Sequence, residues 1–141
     1  MKVVQATTKQ QLEDVQQIRK KVFIEEQQVP PEEEWDQYEE SAYHFVLYDH
    51  HNHPSGAGRL RIINGKGKVE RICILKEQRG NGLGQLLMNA IEKFAKKLGI
   101  NSYVLNAQSQ AIPFYKKLGY QISSDEFIEA GIKHRTMMKD L

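Results

Sequence analysis

The run Glu70-Arg71-Ile72-Cys73-Ile74-Leu75-Lys76-Glu77-Gln78-Arg79-Gly80-Asn81-Gly82-Leu83-Gly84 constrains the fold of this chain more than any other stretch. It starts with strand-type residues and breaks at three closely spaced glycines. It then opens into Leu83, Leu86, Leu87, Ala90, Ile91, Phe94 and Leu98, a three-and-four repeat that predicts a long amphipathic helix stopped by Gly99. Such a helix must bury its apolar stripe on a sheet. The glycines let the main chain turn tightly and bring its N–H groups close to a ligand, where a Cβ would obstruct the approach. The helix start adds unpaired N–H groups and a partial positive charge, worth ~0.3 to 1 kcal/mol per anion contact. With Arg79 as a fixed cation, the stretch reads as an anion cradle. A Walker loop would end in Gly-Lys-Ser/Thr, but Gly84 is followed by Gln85-Leu86. The dinucleotide fingerprint Gly-x-Gly-x-x-Gly is not met either, because the glycines run Gly-x-Gly-x-Gly.

The rest of the chain supplies the sheet. Lys2 to Ala6 reads as a first strand, and Thr8-Lys9-Gln10-Gln11 is a capping-box pattern that starts a helix. Leu12, Val15, Ile18 and Val22 give that helix one buried face running to Phe23, and Val29-Pro30-Pro31 ends it. Glu32-Glu33-Glu34 begins a short second helix. His44 to Tyr48 and Gly58 to Ile63 read as strands joined across Asp49 to Ser55, and Asn64-Gly65-Lys66-Gly67 turns the chain into a strand over Lys68 to Leu75. After the long helix come a fifth strand, Ser102 to Asn106, and a shorter helix, Gln110 to Leu118. Pro113 is tolerated in the first turn of that helix, and Gly119 closes it. Tyr120 to Ile122 and Lys133 to Met138 form a last strand pair.

A second motif lies downstream of the loop: Asn106 at the end of the fifth strand, then Ala111 and Phe114-Tyr115-Lys116-Lys117-Leu118-Gly119-Tyr120. Between a strand and a helix, Arg79-x-x-Gly82-x-Gly84 resembles the acyl-CoA pyrophosphate loop of the GCN5-related N-acetyltransferase (GNAT) superfamily, and the second motif resembles that superfamily's other coenzyme A motif. Arg19 to Gln27, Trp35-Asp36 and Ile132-Lys133-His134 further resemble the ElaA/YjcF-like branch. The resemblance implies an α/β (α+β) GNAT fold over residues 1–141 as one acyltransferase domain. That fold has a central, mostly antiparallel, twisted sheet of about seven strands, a splayed fourth and fifth strand, and four flanking helices.

The resemblance also implies a chemistry, in which acetyl-CoA is cosubstrate and a primary amine of a small molecule or protein attacks its thioester directly. The pantetheine arm would lie along the main chain of Ile72, Cys73 and Ile74, near Asn106. The pyrophosphate would take Arg79, Gly80, Asn81, Gly82, Leu83 and Gly84. Tyr115 matches the tyrosine that protonates the departing thiolate, since a phenol of pKa ~10 can serve as that acid. An alkylammonium must first lose a proton, and Glu70 is the nearest base in sequence, although in a regular strand Arg71 beside it points to the opposite face. His44 and His134 are further candidates for the acceptor pocket.

Charge distribution bears on the acceptor. Residues 25–40 hold eight acids and no base, leaving ten acids against twenty bases elsewhere and a net charge of +2. The acidic run either attracts a cationic amine or is a solvated helix face. No basic stripe interleaved with aromatics and no zinc pattern points to nucleic acid. His50, His51 and His53 sit in a turn with no cysteine among them, which argues for exposed loop and against metal. Cys73 is the lone cysteine and has no evident partner base for covalent catalysis. With no disulfide, no apolar run of ~20 residues and no signal-peptide pattern, the expectation is a cytoplasmic protein outside the membrane. A homodimer fits the superfamily. Two other readings stay open here. One is a non-catalytic acyl-CoA-binding regulatory module. The other is an acyltransferase resembling acyl-homoserine lactone synthases, with which Arg19, Phe23 and Trp35-Asp36 share spacing.

Overall fold

The computed structural model of the chain describes residues 1–140. Strands β1 (Lys2–Gln5), β2 (Tyr43–Tyr48), β3 (Pro54–Ile63), β4 (Lys66–Ile74), β5 (Ser102–Gln108), β6 (Gln121–Ile122), β7 (Phe127–Glu129) and β8 (Ile132–Asp140) form one sheet. Its order is β1-β2-β3-β4-β5-β8-β6, with β7 also paired to β8. Every pairing is antiparallel except β4 with β5. Helices α1 (Lys9–Arg19) and α2 (Pro31–Glu34) precede β2, and α3 (Leu83–Lys97) and α4 (Ile112–Lys117) flank β5 in sequence. The α/β GNAT fold read from the sequence is therefore present, with eight strands where about seven were expected.

Strand alternation distributes the apolar residues to two cores. Phe45, Leu47, Leu60 and Val69 pack with Leu83, Leu87, Met88, Ile91 and Ala95 of α3. Val46, Ala57 and Cys73 face the other way, onto Val15, Ile18, Val22 and Phe23. Thr8 caps α1 with the expected capping box. Beyond Arg19 the helix widens into a π segment, Lys20–Glu26, where the Gln27 N–H reaches back to the Val22 carbonyl. The widened turns bring Val22 and Phe23 into the core together, while Leu12, read as part of the buried face, is 36% exposed. On α3, Leu86 and Leu98 are likewise exposed, and Met88 and Ala95 take the buried positions.

Asn64 and Gly65 both have positive φ and make a two-residue β3–β4 turn, so Lys66 and Gly67 belong to the strand and not to the turn. Strand β3 starts at Pro54, earlier than its polar and glycine-rich beginning suggested. Strand β7 was missed as a strand, and it hairpins onto β8 through Ala130 and Gly131, again both at positive φ.

Two features of β4 shape the centre. Parallel pairing with β5 runs only from Gly67↔Tyr103 to Val69↔Leu105, after which the strands part. Just beyond, Arg71 has φ 57°, and the β3 register jumps from Arg59↔Glu70 to Ala57↔Cys73. Two residues of β4 thus oppose Gly58, which makes a β-bulge. The bulge corrects the expectation that Glu70 and Arg71 face opposite sides. Arg71 stays on the α1/α2 face with Glu70, and Ile72 turns to the α3 face. Gly58 makes room for that turn, since a methyl there would lie 2.7 Å from Ile72 Cδ1 and 2.8 Å from Ile91 Cδ1.

The acidic run resolves into ion pairs. Arg19, 1% exposed, donates to Glu34 (2.7 Å) and to both oxygens of Glu39 (2.6 and 2.9 Å), and its guanidinium lies over the Trp35 ring at 4.8 Å. Arg59, fully buried, donates to Asp36 through Nη1 and Nη2 (both 2.8 Å), to Glu39 (2.6 Å) and to Glu70 (2.9 Å). Arg61 joins Glu70 at 2.7 Å, and Arg71 reaches Asp36 at 3.2 Å. Four arginines thus balance four carboxylates. Burial alone would raise the Asp36 pKa, but hydrogen bonds from Arg59 and the Tyr38 N–H bring it down to about 2.

Replacing Arg59 with Met leaves three partly buried carboxylates short of a counter-charge. Unfolding in urea should show a loss of about 3 kcal/mol. Asp36 has a folded pKa below its unfolded value, so its contribution is complete above about pH 4 and is lost as the pH falls toward about 2. Asp36→Asn should flatten the fall in urea midpoint across that window.

Candidate active site

Where β4 and β5 part, a cleft of about 660 Å³ opens between them, within the range of small-molecule sites. Glu70, Ile72, Cys73, Ile74, Arg79, Gly84, Asn106 and Tyr115, all singled out in the sequence, line it. Gly80, Asn81, Gly82 and Leu83 lie outside the lining, in the loop that carries Arg79 and Gly84. His44 lies outside the cleft, and its Nε2 is 2.6 Å from the Glu39 carbonyl. That is the structural alternative for a buried histidine.

The loop is built from local backbone requirements. Gly80 (φ 85°) and Gly82 (φ 75°) sit in the left-handed region with no atom within 4 Å of an added Cβ, so the space above them is open. Gly82 is the N-cap of α3, and no side chain caps the helix. Its first-turn N–H groups are left for an external acceptor. Leu83 serves through its main chain, since its side chain is core. Asn81 spends its amide on the Gln78 carbonyl at 3.1 Å. Gly84 has a different reason for lacking a Cβ: one would lie 3.0 Å from Phe114 Cζ, so this glycine seats α4 against α3.

Arg79 donates from Nη1 and Nη2 to Glu26 (2.7 and 2.8 Å) and from Nε to the Ile74 carbonyl (2.9 Å). The cation expected for a pyrophosphate is thereby held at the edge of the cleft by a carboxylate of the π segment. Of the acids in residues 25–40, Glu34, Asp36, Glu39 and Glu26 are bound by arginines, which a count of sequence charge could not reveal.

Tyr115 is 8% exposed and packs edge-on to Phe114 and Tyr120. Among the described residues its hydroxyl has no hydrogen-bond partner. Burial pushes its pKa well up, so it keeps its proton at ordinary pH and has it available to give. Burial likewise pushes the Cys73 thiol up to about 12, the opposite of an activated nucleophile. Asn106 accepts from the Thr136 hydroxyl at 2.9 Å. Glu70 accepts from Arg59 and Arg61, and although burial opposes the ionised form, these arginines keep its pKa below the usual carboxylate range. A carboxylate so held is a weak base and a strong brace.

Sequence reasoning passed over Gln27, Gln108 and Glu129. Gln108 Nε2 donates to Gln27 Oε1 at 2.9 Å, linking the π segment to the end of β5 across the cleft. No local pattern announces such a pair. His134 of β8 also lines the cleft, as the sequence allowed. Among the described residues no helix is long and apolar enough to cross a membrane, and no cluster of His, Cys, Asp and Glu could hold a metal ion.

The family model for the acetyltransferase (GNAT) domain matches residues 3–141. The Bacillus subtilis (strain 168) protein named "Uncharacterized N-acetyltransferase YjcF" is 50% identical over 141 residues, 99% of this chain and 100% of its own length. A crystal structure from Lactobacillus plantarum has a TM-score of 0.92 to this chain at 25% identity, covering 99% of this chain and 97% of that one. Escherichia coli ElaA has a TM-score of 0.86 at 19% identity over 99% of each chain, a likeness of fold.

The chemistry of Cys73 can be checked directly. Iodoacetamide at pH 8 should leave the folded protein unmodified for hours and label it at once in urea, as followed by mass spectrometry. Rapid labelling of the folded protein would contradict the buried, protonated thiol.

Proposed function

This chain belongs to the acetyltransferase (GNAT) family, in its ElaA/YjcF-like branch, and from that premise we propose that it transfers an acetyl group from acetyl-CoA to a primary amine by direct attack on the thioester. The observation that carries the reading is one cleft that runs from Arg79 and Gly84, beside an uncapped helix start with open glycines, to a buried phenol with no partner. Residues 1–141 act as one acyltransferase domain in the cytoplasm.

The pyrophosphate takes the N–H groups of Gly80 to Gly84, and Arg79 turns from Glu26 to face it. The pantetheine arm runs along Ile72, Cys73 and Ile74, whose main chain the bulge turns away from β5, with Asn106 opposite. A main-chain N–H of this segment, that of Cys73 or Ile74, stabilises the oxyanion. Tyr115 gives its proton to the departing thiolate, a role suited to a group that stays protonated. Cys73 carries no acyl group. Glu70 fits the role of a brace for Arg59 and Arg61 better than that of a base.

The acyl-homoserine lactone synthase reading loses its footing. Arg19, Trp35 and Asp36 are occupied with one another's neighbours in the ion-pair network, and Phe23 is core. Acceptors of the polyamine, amino-sugar and lysine classes all remain compatible with the mouth of the cleft, where Glu33 stands without an arginine partner.

Purified protein with acetyl-CoA and spermidine, glucosamine or Nα-acetyl-lysine should release free thiol. Coenzyme binding without turnover on any amine would instead favour the regulatory module. Tyr115→Phe should lower kcat about 100-fold while coenzyme A affinity, measured by calorimetry, stays within about twofold. Unchanged turnover removes Tyr115 from the chemistry. Gly82→Val, which forces a branched side chain into the left-handed region and over the open cradle, should weaken coenzyme A binding more than about tenfold.

A further inference from the structure

With Glu70 held by two arginines and His44 outside the cleft, the amine's proton needs another acceptor. Cys73 and Tyr115 are both kept protonated by burial. His134 remains. Its Nδ1 lies 2.7 Å from the Ile132 carbonyl, an acceptor only, so Nδ1 carries the hydrogen and a neutral ring keeps its lone pair on Nε2. That nitrogen lies 3.8 Å from Glu129 Oε2, and the ring is stacked on Phe127 at 5.9 Å and 19°. The ring is buried to 7% exposure yet lines the cleft, directly across the β5–β8 ladder from Gln108. The tight Ala130-Gly131 turn is what brings Glu129 back beside it.

We propose that His134 Nε2 is the general base that deprotonates the acceptor ammonium, and that Glu129 is a positioning residue that holds the resulting imidazolium. The proposal rests on the acetyltransferase reading above and names the base it lacks. Imidazole is the side chain whose charge ordinarily changes between about pH 5 and 8, and a hydrogen bond from Nδ1–H to a fixed acceptor, here the Ile132 carbonyl, is the usual way to orient such a base. The ionisable groups that share the cleft with it are Glu129 on β7, Glu33 and Glu34 on α2, and Lys68, Glu70 and Arg71 on β4. Beyond these lies Arg79, paired with Glu26. Glu34, Glu70 and Arg71 are committed to the arginine–carboxylate network, and of the two remaining carboxylates, Glu33 and Glu129, it is Glu129 that lies within 4 Å of the His134 ring.

The protons balance. The ammonium gives one proton to Nε2 and becomes a neutral amine, whose lone pair forms the C–N bond to the thioester carbon. As the C–S bond breaks, Tyr115 donates to the thiolate and regains a proton from the attacking nitrogen. His134 releases its proton to solvent, so amide, free thiol and one proton are the products.

The test uses the full chain. Imidazole ¹⁵N–¹H correlations should show His134 as the Nδ1–H tautomer at high pH. With whichever of spermidine, glucosamine or Nα-acetyl-lysine the wild type acetylates, His134→Asn and His134→Ala should lose the ascending limb of the kcat/KM profile. They should fall about 100-fold at pH 7, keep coenzyme A affinity within about twofold, and regain part of the rate with added imidazole in the Ala variant. Glu129→Gln should lower kcat with coenzyme A affinity unchanged, and Glu129→Asp should regain part of the rate. An Nε2–H tautomer, or a His134→Asn enzyme whose pH profile matches wild type, overturns the assignment and leaves the acetyltransferase reading standing. A wild type that acetylates none of the three amines overturns both.

Discussion

The left-handed backbone of Arg71 is the constraint from which the centre of the molecule follows. A non-glycine residue in that region carries a penalty of roughly 1 to 2 kcal/mol, so something must hold it there. Two things do. Its guanidinium is drawn to Asp36 and to the Glu34 carbonyl on the α1/α2 face, and Gly58 across the ladder makes space for Ile72 on the other. The extra residue bends β4 away from β5 just after Val69↔Leu105, their last paired residues. Without that bend the two strands could continue their ladder, and neither the cleft nor free main-chain groups along it would exist.

The arginine–carboxylate network supports the same region from the α1/α2 side. Buried ion pairs add little net stability, because desolvation cancels most of their attraction, but removing one partner is costly. Here Arg19 and Arg59 each bridge two or more carboxylates drawn from α2, the segment after it, and β4. The segment from Pro31 to Glu39 has only one helical turn of its own, α2, so these contacts set its position over the sheet. This side of the cleft is therefore electrically balanced and held in place, and unbalanced charge is confined to a few exposed carboxylates at its rim. On the proposed acetyltransferase reading, that leaves the His134 ring on β8 to take the proton of an amine in this cleft.

Legibility in the sequence followed the range of the forces involved. The capping box at Thr8, the Asn64-Gly65 turn, the glycine loop and the stop at Gly99 are each decided by φ preferences and hydrogen bonds within a few residues, and all were readable. Where a longer-range contact set the outcome, reading along the chain was less reliable. Leu12 and Leu86 fit the periodicity but not the burial, because a helix face is defined by the sheet beneath it. Strand β7 gave no signal, since three residues of Phe-Ile-Glu become a strand only by pairing with β8. Gly84 looked like one more loop glycine until Phe114 was found against it.

From residues alone came the mixed α/β layering, the glycine loop ahead of α3, the family, and several residues that line the cleft, because those depend on local geometry and on motifs contiguous in the chain. Only the tertiary structure decided what the charges do. Eight acids between residues 25 and 40 suggested an attractive lip, yet several of them are spent on Arg19, Arg59, Arg71 and Arg79, partners that lie up to 53 positions away. The bracing of Glu70 by Arg61 and Arg59, and the carboxylate beside His134, lie closer in sequence but depend on hairpin register. Electrostatic roles are set by which groups the fold brings within about 4 Å of each other, and that proximity is a property of the folded sheet and not of the order of residues.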